Sequence, residues 1–382
     1  MKLSVKNDRP VIRPVKQIEL SGEKLRLRTV LLVLALAAAL VSFGFGINAL
    51  LSADPGWQEI PVLKTNEISS GSEFTFYYNV GAGETSATKE YKALRSLYTQ
   101  AAVDSCRLFS ADEDFDGCKN LWYLNHHVNE AVEVEPALYD AFVLLEESGT
   151  RYHYLGPVAE LYVSLFHCES DGETADYDPY LSDSLRAFYA ETAAFVNDPE
   201  AIRLELLGNN TVRLHISDGY LRFAEENGIG RFIDCFWLKN AFIADYIAGI
   251  LLENGYTLGT LISQDGFIRN LDDVTGTEYA VSFSHRDGAV ISDLATLRFS
   301  GRVSIVYLHD YPLRGENSGN YYVRDDGLIR TAFVDPADGL CKSAIPELAA
   351  YSTVLSCAEI ALKAAPIYIA SEFDEDALHT LM

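Results

Sequence analysis

The sequence predicts an α+β fold, with mixed sheets and flanking helices, preceded by one transmembrane helix. Three observations carry that prediction. A 25-residue uncharged stretch lies near the N-terminus, strand-like and helix-like patterns interleave beyond it with no internal repeat, and 48% of the 382 residues are apolar, enough for a sizeable core.

Residues 1–28 hold 8 Lys/Arg against 3 Asp/Glu and read as a disordered cytoplasmic tail. Residues 29–53, TVLLVLALAAALVSFGFGINALLSA, carry no charge. At about 1.5 Å per residue this stretch crosses a hydrocarbon core of roughly 30 Å. Lys24, Arg26 and Arg28 precede it, so the positive-inside rule sets residues 54–382 outside the cytoplasm. A cleaved signal peptide is the rival, but the run exceeds an h-region of roughly 7–15 residues, and Leu51-Ser52-Ala53 is no clean A-x-A site. The expectation is a retained single-pass anchor in the cell membrane.

The net charge is −25, and beyond residue 28 the balance is 22 basic against 52 acidic residues. Such a surface repels phosphate backbones, which excludes nucleic-acid binding. The six cysteines show no C-x-x-C spacing, which argues against a metal cluster. Cys106 and Cys118 are the nearest pair for a disulfide, with free thiols as the alternative.

Residues 54–72 read as a linker. Phe74 to Val80 is an aromatic-rich strand, and Lys89 to Phe109 a helix with Tyr91, Leu94, Leu97, Tyr98, Ala101 and Ala102 along one stripe. Leu121 to His127 is a short apolar run ending in two histidines. Neighbouring side chains point apart, so the pair suits packing better than one shared metal. Helices follow over Ala137 to Glu147, opened by Pro136, and over Ser184 to Val196. Gly208-Asn209-Asn210 marks a hairpin between Leu204–Leu207 and Thr211–Ile216. Tyr220 to Asn227 is a short helix stopped by Gly228. The stretch from Arg231 to Leu271 organises the rest: a hydrophobic lead-in ends at Lys239, and a helix with Phe242, Ile243, Ile247, Ile250 and Leu251 stops at Asn254-Gly255. A strand over Thr257 to Ile262 then meets the turn Gln264-Asp265-Gly266. Tyr279–Phe283 and Arg302–Leu308 alternate like strands, Phe333 to Gly339 is a strand ending in a tight turn, and Pro346 to Ala365 reads as the last long helix.

The order of these pieces resembles the FAD:protein FMN transferase family over roughly residues 70–370, which makes residues 73–370 a flavin-transferase-like ectodomain followed by a tail, residues 371–382. The matching pieces are Leu121–Asn125 with Val134–Tyr139, Gly156-Pro157, Lys239–Asp245, Asp265-Gly266, Ser318-Gly319-Asn320-Tyr321, Asp335-Pro336-x-x-Gly339, and Ala358-Glu359. The resemblance implies FAD as cofactor, Asp245 and Asp335 as catalytic residues, and Tyr123, Asn125, Lys239, Gly266, Ser318, Tyr321 and Phe333 as flavin-binding. It places the metal site at Asp338 and Glu359. Tyr123, Tyr321 and Phe333 are the candidates to stack on the flavin ring.

Departures from the family pattern fall on the chemistry. Asn240 replaces the glycine after the family lysine, Asp245 falls one residue late, and Asp265 replaces the first glycine of a Gly-Gly pair. Ala332 stands for the motif histidine and Asp338 for its threonine; Glu359 and Lys363 stand for an Asp and a Thr that bind Mg²⁺. Magnesium takes hard oxygen ligands, and an ammonium only donates hydrogen bonds, so the expectation is that Lys363 displaces the metal and pairs with Glu359 one turn back. Three readings stand: a non-catalytic flavin-binding or assembly subunit, an active Mg²⁺-dependent transferase modifying an extracytoplasmic target, and an acidic ectodomain that binds protein partners without flavin.

Overall fold

The computed structural model describes residues 53–64, 67–83, 85–274, 276–288, 290–313 and 319–381, together with scattered helical positions between 29 and 42. The expected tail, most of the expected membrane span and Ser318 lie outside these residues. Among the described residues no helix is long and apolar enough to cross a membrane.

From Asp54 onward the described chain forms one unit. Strand β1 (Gly56–Glu59) pairs antiparallel with β2 (Phe74–Val80), so part of the stretch read as a linker belongs to the sheet. Helix α1 (Ala87–Leu108) follows, then the short α2 (Leu121–His126), β3 (Ala131–Glu133), α3 (Pro136–Ser148), α4 (Gly156–Tyr162) and α5 (Asp183–Val196). Strands β4 (Ile202–Gly208) and β5 (Thr211–Ile216) turn through Asn209 and Asn210 at φ 50° and 57°. Two consecutive left-handed residues define a type I′ turn, whose twist matches the strands it joins. This hairpin and β3 make a three-stranded antiparallel sheet.

After α6 (Asp218–Asn227) comes α7 (Lys239–Glu253), the helix predicted at the centre of the chain. Strands β6 (Gly259–Ser263), β7 (Phe267–Asn270), β8 (Tyr279–Asp287), β9 (Val290–Phe299) and β10 (Val303–His309) follow. Two short pairs, β11 (Tyr321–Val323) with β12 (Ile329–Thr331) and β13 (Val334–Asp335) with β14 (Leu340–Cys341), precede β15 (Glu347–Ser352), α8 (Cys357–Tyr368) and α9 (Glu375–Leu381). The main sheet is antiparallel throughout, in the order β1-β2-β6-β7-β10-β15.

Strand β10 explains how the layers stack. All seven of its residues are buried: Val306 and Leu308 face the main core with α7 and α8, while Val303, Ile305 and Tyr307 face a second cluster with Phe283 of β8. A strand covered on both sides reads as a mostly apolar run, and in VSIVYLH only Ser304 and His309 interrupt it.

The structure corrects the predicted helix over Pro346 to Ala365. Its first part is the edge strand β15, paired to β10 from Ser304↔Ser352 to His309↔Glu347. The helix begins at Cys357, where the Ser356 hydroxyl accepts from Glu359 N and the Glu359 carboxylate accepts from Ser356 N. Ser-x-x-Glu is a capping box, and that signal outranks the apolar spacing of Leu348 and Leu355. The closing tail also holds helix, at α9. All six cysteines are free.

Candidate functional site

Three neighbouring segments frame a cleft. Asn125, at the end of α2, is 4% exposed; its Oδ1 accepts from Phe232 N and Ile233 N, both at 2.9 Å, and its Nδ2 donates to Ile233 O at 2.9 Å. Gly156 packs against the same backbone so closely that a Cβ there would lie 2.7 Å from Phe232 C and 2.8 Å from Arg231 O. Asn125 and Gly156, both matched by the family pattern, therefore fix residues 231–233 and set the course of the chain into α7. Between them and Lys239, Phe236 takes φ +44°, a left-handed conformation that costs a bulky side chain of order 1 kcal/mol or more. Backbone strain of this kind concentrates at functional sites.

The cleft, about 500 Å³, runs between the C-terminal end of α1, the 231–240 segment and the β6–β7 turn. That volume suits a drug-sized or cofactor-sized ligand. Phe109, Phe115, Phe236 and Trp237 supply apolar wall. Five carboxylates also line it, those of Glu73, Asp112, Glu113, Asp234 and Asp265, against two cations, Arg231 and Lys239. Arg231 is held by Asp234 at 2.8 Å and by Asp112. The Lys239 ammonium lies 3.7 Å from Glu73. Burial alone would depress this ammonium, but Glu73 and Asp234 outweigh it and hold the pKa above the usual lysine value. Asn240, 5% exposed, donates Nδ2 to Glu73 at 2.9 Å and to Asp265 at 3.0 Å. Burial, with the like charge of Glu73 adding to it, pushes Asp265 up to about 6. Asn240 Oδ1 and Asp265 Oδ1 are both buried without a hydrogen-bond partner.

Most of the other predicted residues lie outside this cleft. Asp245, expected to be catalytic, accepts from Cys357 N at 3.0 Å and Ala358 N at 2.8 Å, with Arg269 Nε 3.5 Å away. It closes the start of α8, where a carboxylate complements the helix dipole. Glu359 spends one oxygen on the capping box, accepting from Ser356 N at 2.7 Å. Asp335, expected to be catalytic, and Asp338, expected to bind metal, are bridged by one ammonium: Lys342 Nζ lies 2.7 Å from Asp335 and 2.8 Å from Asp338. Asp335 also accepts from Ala337 N in the turn. Lys363 is exposed and makes no ion pair with Glu359 among the described contacts. The expected Lys363–Glu359 pairing is thus corrected: the lysine that meets predicted site carboxylates is Lys342, and it holds Asp335 and Asp338 rather than Glu359. With these oxygens committed to backbone and ammonium, and with no three His, Cys, Asp or Glu side chains gathered to hold an ion among the described residues, the Mg²⁺ implied by the resemblance does not fit the expected position.

The aromatic candidates are packed into the protein. Tyr123 stacks on His127 at 3.8 Å between ring centres, and Trp122 stacks on His126 in the same way, so the two histidines pair with rings one turn back. Phe333 meets Trp237 and Tyr368 edge-on, and Tyr321 is buried with its hydroxyl on His309 Nδ1 at 2.9 Å. Gly266 has φ +99°, and a Cβ there would lie 2.1 Å from Tyr307 O, so its glycine is required by β10 rather than by a ligand. Of the predicted flavin-binding residues that are described, only Lys239 lines the cleft, and Asn125 acts from behind it.

No family model and no curated protein matches the chain. Solved structures do. The ApbE protein of Thermotoga maritima superposes with a TM-score of 0.56 at 14% identity, over 85% of this chain and 91% of that one. The flavin transferase ApbE of Vibrio cholerae gives 0.54 at 14% identity, over 85% and 90%. A single-residue mutant of the latter gives 0.51 at 15% identity, over 82% and 87%. The fold is that of the ApbE flavin transferases. Within this flavin-transferase fold the residues that line the cleft were only partly legible beforehand: Glu73 falls between the expected linker and strand, Asp112 just past the expected helix and Arg231 at the start of the lead-in to Lys239, and only tertiary contact joins them.

Proposed function

We propose that the chain is a membrane-anchored, extracytoplasmic flavin-transferase-like protein that binds a flavin in the cleft, performs no Mg²⁺-dependent transfer, and serves as a binding or assembly subunit for a protein partner on that side of the membrane. The fold and the cleft's size and aromatic wall support flavin binding. One observation carries the loss of transfer chemistry: Lys342 bridges Asp335 and Asp338 while Asp245 and Glu359 close the N-terminus of α8. An ammonium between two carboxylates supplies one positive charge where a divalent ion would supply two, and it cannot polarise a phosphoryl oxygen as a Lewis acid. The uncharged stretch 29–53 behind a basic tail supports the anchor and its direction.

The test incubates the full chain with FAD and Mg²⁺ while flavin fluorescence and AMP are followed together. Flavin binding without AMP release is the expected result. AMP release at enzymatic rates would sink the reading, and an absence of flavin binding would leave a protein-partner role alone. Protease protection in intact cells checks the topology: residues beyond 54 should be cleaved from the outside only.

A further inference from the structure

We propose that the cleft selects an uncharged, hydrogen-bond-donating flavin of the riboflavin class over the phosphorylated forms FMN and FAD. This rests on the flavin-binding reading above and names the ligand class of the same site.

Asn240 gives both Nδ2 protons away, one to Glu73 at 2.9 Å and one to Asp265 at 3.0 Å. Turning the amide over would set its oxygen against two carboxylates, so its orientation is fixed. Asn240 Oδ1 is thereby left as a free acceptor on a side chain 5% exposed, and Asp265 Oδ1 is a second buried acceptor with no partner. Buried polar atoms are ordinarily satisfied, so two orphans in one cleft wall point to a ligand that brings donors. The imide N–H of a flavin ring and the hydroxyls of its ribityl chain are donors. An ionised phosphate, with a charge of about −1.5 to −2 near neutral pH, brings acceptors only.

The charges of the cleft point the same way. Its two cations are already engaged, Arg231 with Asp112 and Asp234, and Lys239 with Glu73. A phosphoryl group entering the cleft must either break one of these pairs or lie against carboxylates. Neither cost falls on riboflavin.

Fluorescence titration of the full chain with riboflavin, FMN and FAD at one ionic strength tests this without any variant. Riboflavin should bind about tenfold or more tightly than FMN, the scale expected when like charges meet in a partly desolvated site. Asp265→Asn, which keeps shape and removes charge, should narrow the gap between riboflavin and FMN severalfold, and Glu73→Gln should do the same. FMN or FAD binding as tightly as riboflavin overturns the selectivity and leaves flavin binding standing. Binding of none of the three overturns both. A riboflavin preference unchanged in both variants overturns the assignment to Asn240, Asp265 and Glu73.

Discussion

Replacing Lys342 by alanine removes the one ammonium shared by Asp335 and Asp338. The lysine side chain and that of Asp335 are each 17% exposed, and Asp338 is 38% exposed. Breaking a fully buried pair by removing one partner costs about 3–5 kcal/mol, and an exposed pair about 0–1 kcal/mol. The Asp335 contact sits nearer the first case and the Asp338 contact near the second, so the expected loss is about 2–3 kcal/mol at neutral pH. Part of it returns in Lys342→Ala combined with Asp335→Asn, because the uncompensated charge is then gone. Urea denaturation of the full chain, comparing midpoints at a shared slope, reads the difference directly. A loss below about 0.5 kcal/mol would refute the claim that these two carboxylates depend on Lys342, and with it the support for the proposed loss of metal chemistry.

Three further outcomes follow from the same geometry. Asp245→Ala removes two backbone bonds at the start of α8 and should cost about 2–4 kcal/mol in thermal denaturation, with flavin affinity of the folded protein unchanged; a loss of binding with intact stability would restore Asp245 to the site. Gly156→Ala sets a Cβ against backbone that cannot swing aside, so it should destabilise by roughly 1–3 kcal/mol and weaken flavin binding through residues 231–233. The third concerns pH. Burial raises Asp265 from 3.8 to about 6, so the folded state holds this proton where the unfolded chain has lost it. The stability it brings is complete below the unfolded value and is lost as pH rises through about 6. Glu73 sustains that shift, while Ser263 and then Asn240, with Lys239 on α7, oppose it. Asp265→Asn should therefore flatten the decline of stability between those two values, and parallel wild-type and variant curves would contradict the assignment.

How far the sequence carries depends on whether the cause is local. Strand β2, helices α1, α3 and α5, and the β4–β5 hairpin were all readable, because stripes, Pro136 and Asn209-Asn210 act within a few residues. Strand β9 was not: it is exposed over most of its length, so no buried face imposes alternation on VISDLATLRF. The Pro346–Ala365 prediction failed because β15 is specified by its partner β10 and not by its own period, although Ser356 and Glu359 already marked where the helix starts. The candidate site was legible at Lys239 and, indirectly, at Asn125 and Gly156. Asp245 and Asp335 were expected to be catalytic and Glu359 to hold a metal, because a capping or turn carboxylate and a catalytic one look alike until the backbone N–H groups they accept from are in view. Lys342, seven residues from Asp335 and four from Asp338 across a tight turn, reaches both only because β13 and β14 pair.

Under the proposed function, the position where the resemblance sets a metal is an ordinary structural one. Electron paramagnetic resonance of the full chain titrated with Mn²⁺, a hard-oxygen surrogate for Mg²⁺, with and without FAD, tests it most directly. The account predicts the spectrum of free aqueous Mn²⁺ throughout, unchanged in Asp338→Ala. A stoichiometric bound signal at micromolar Mn²⁺ that disappears in Asp338→Ala or Glu359→Ala would contradict it.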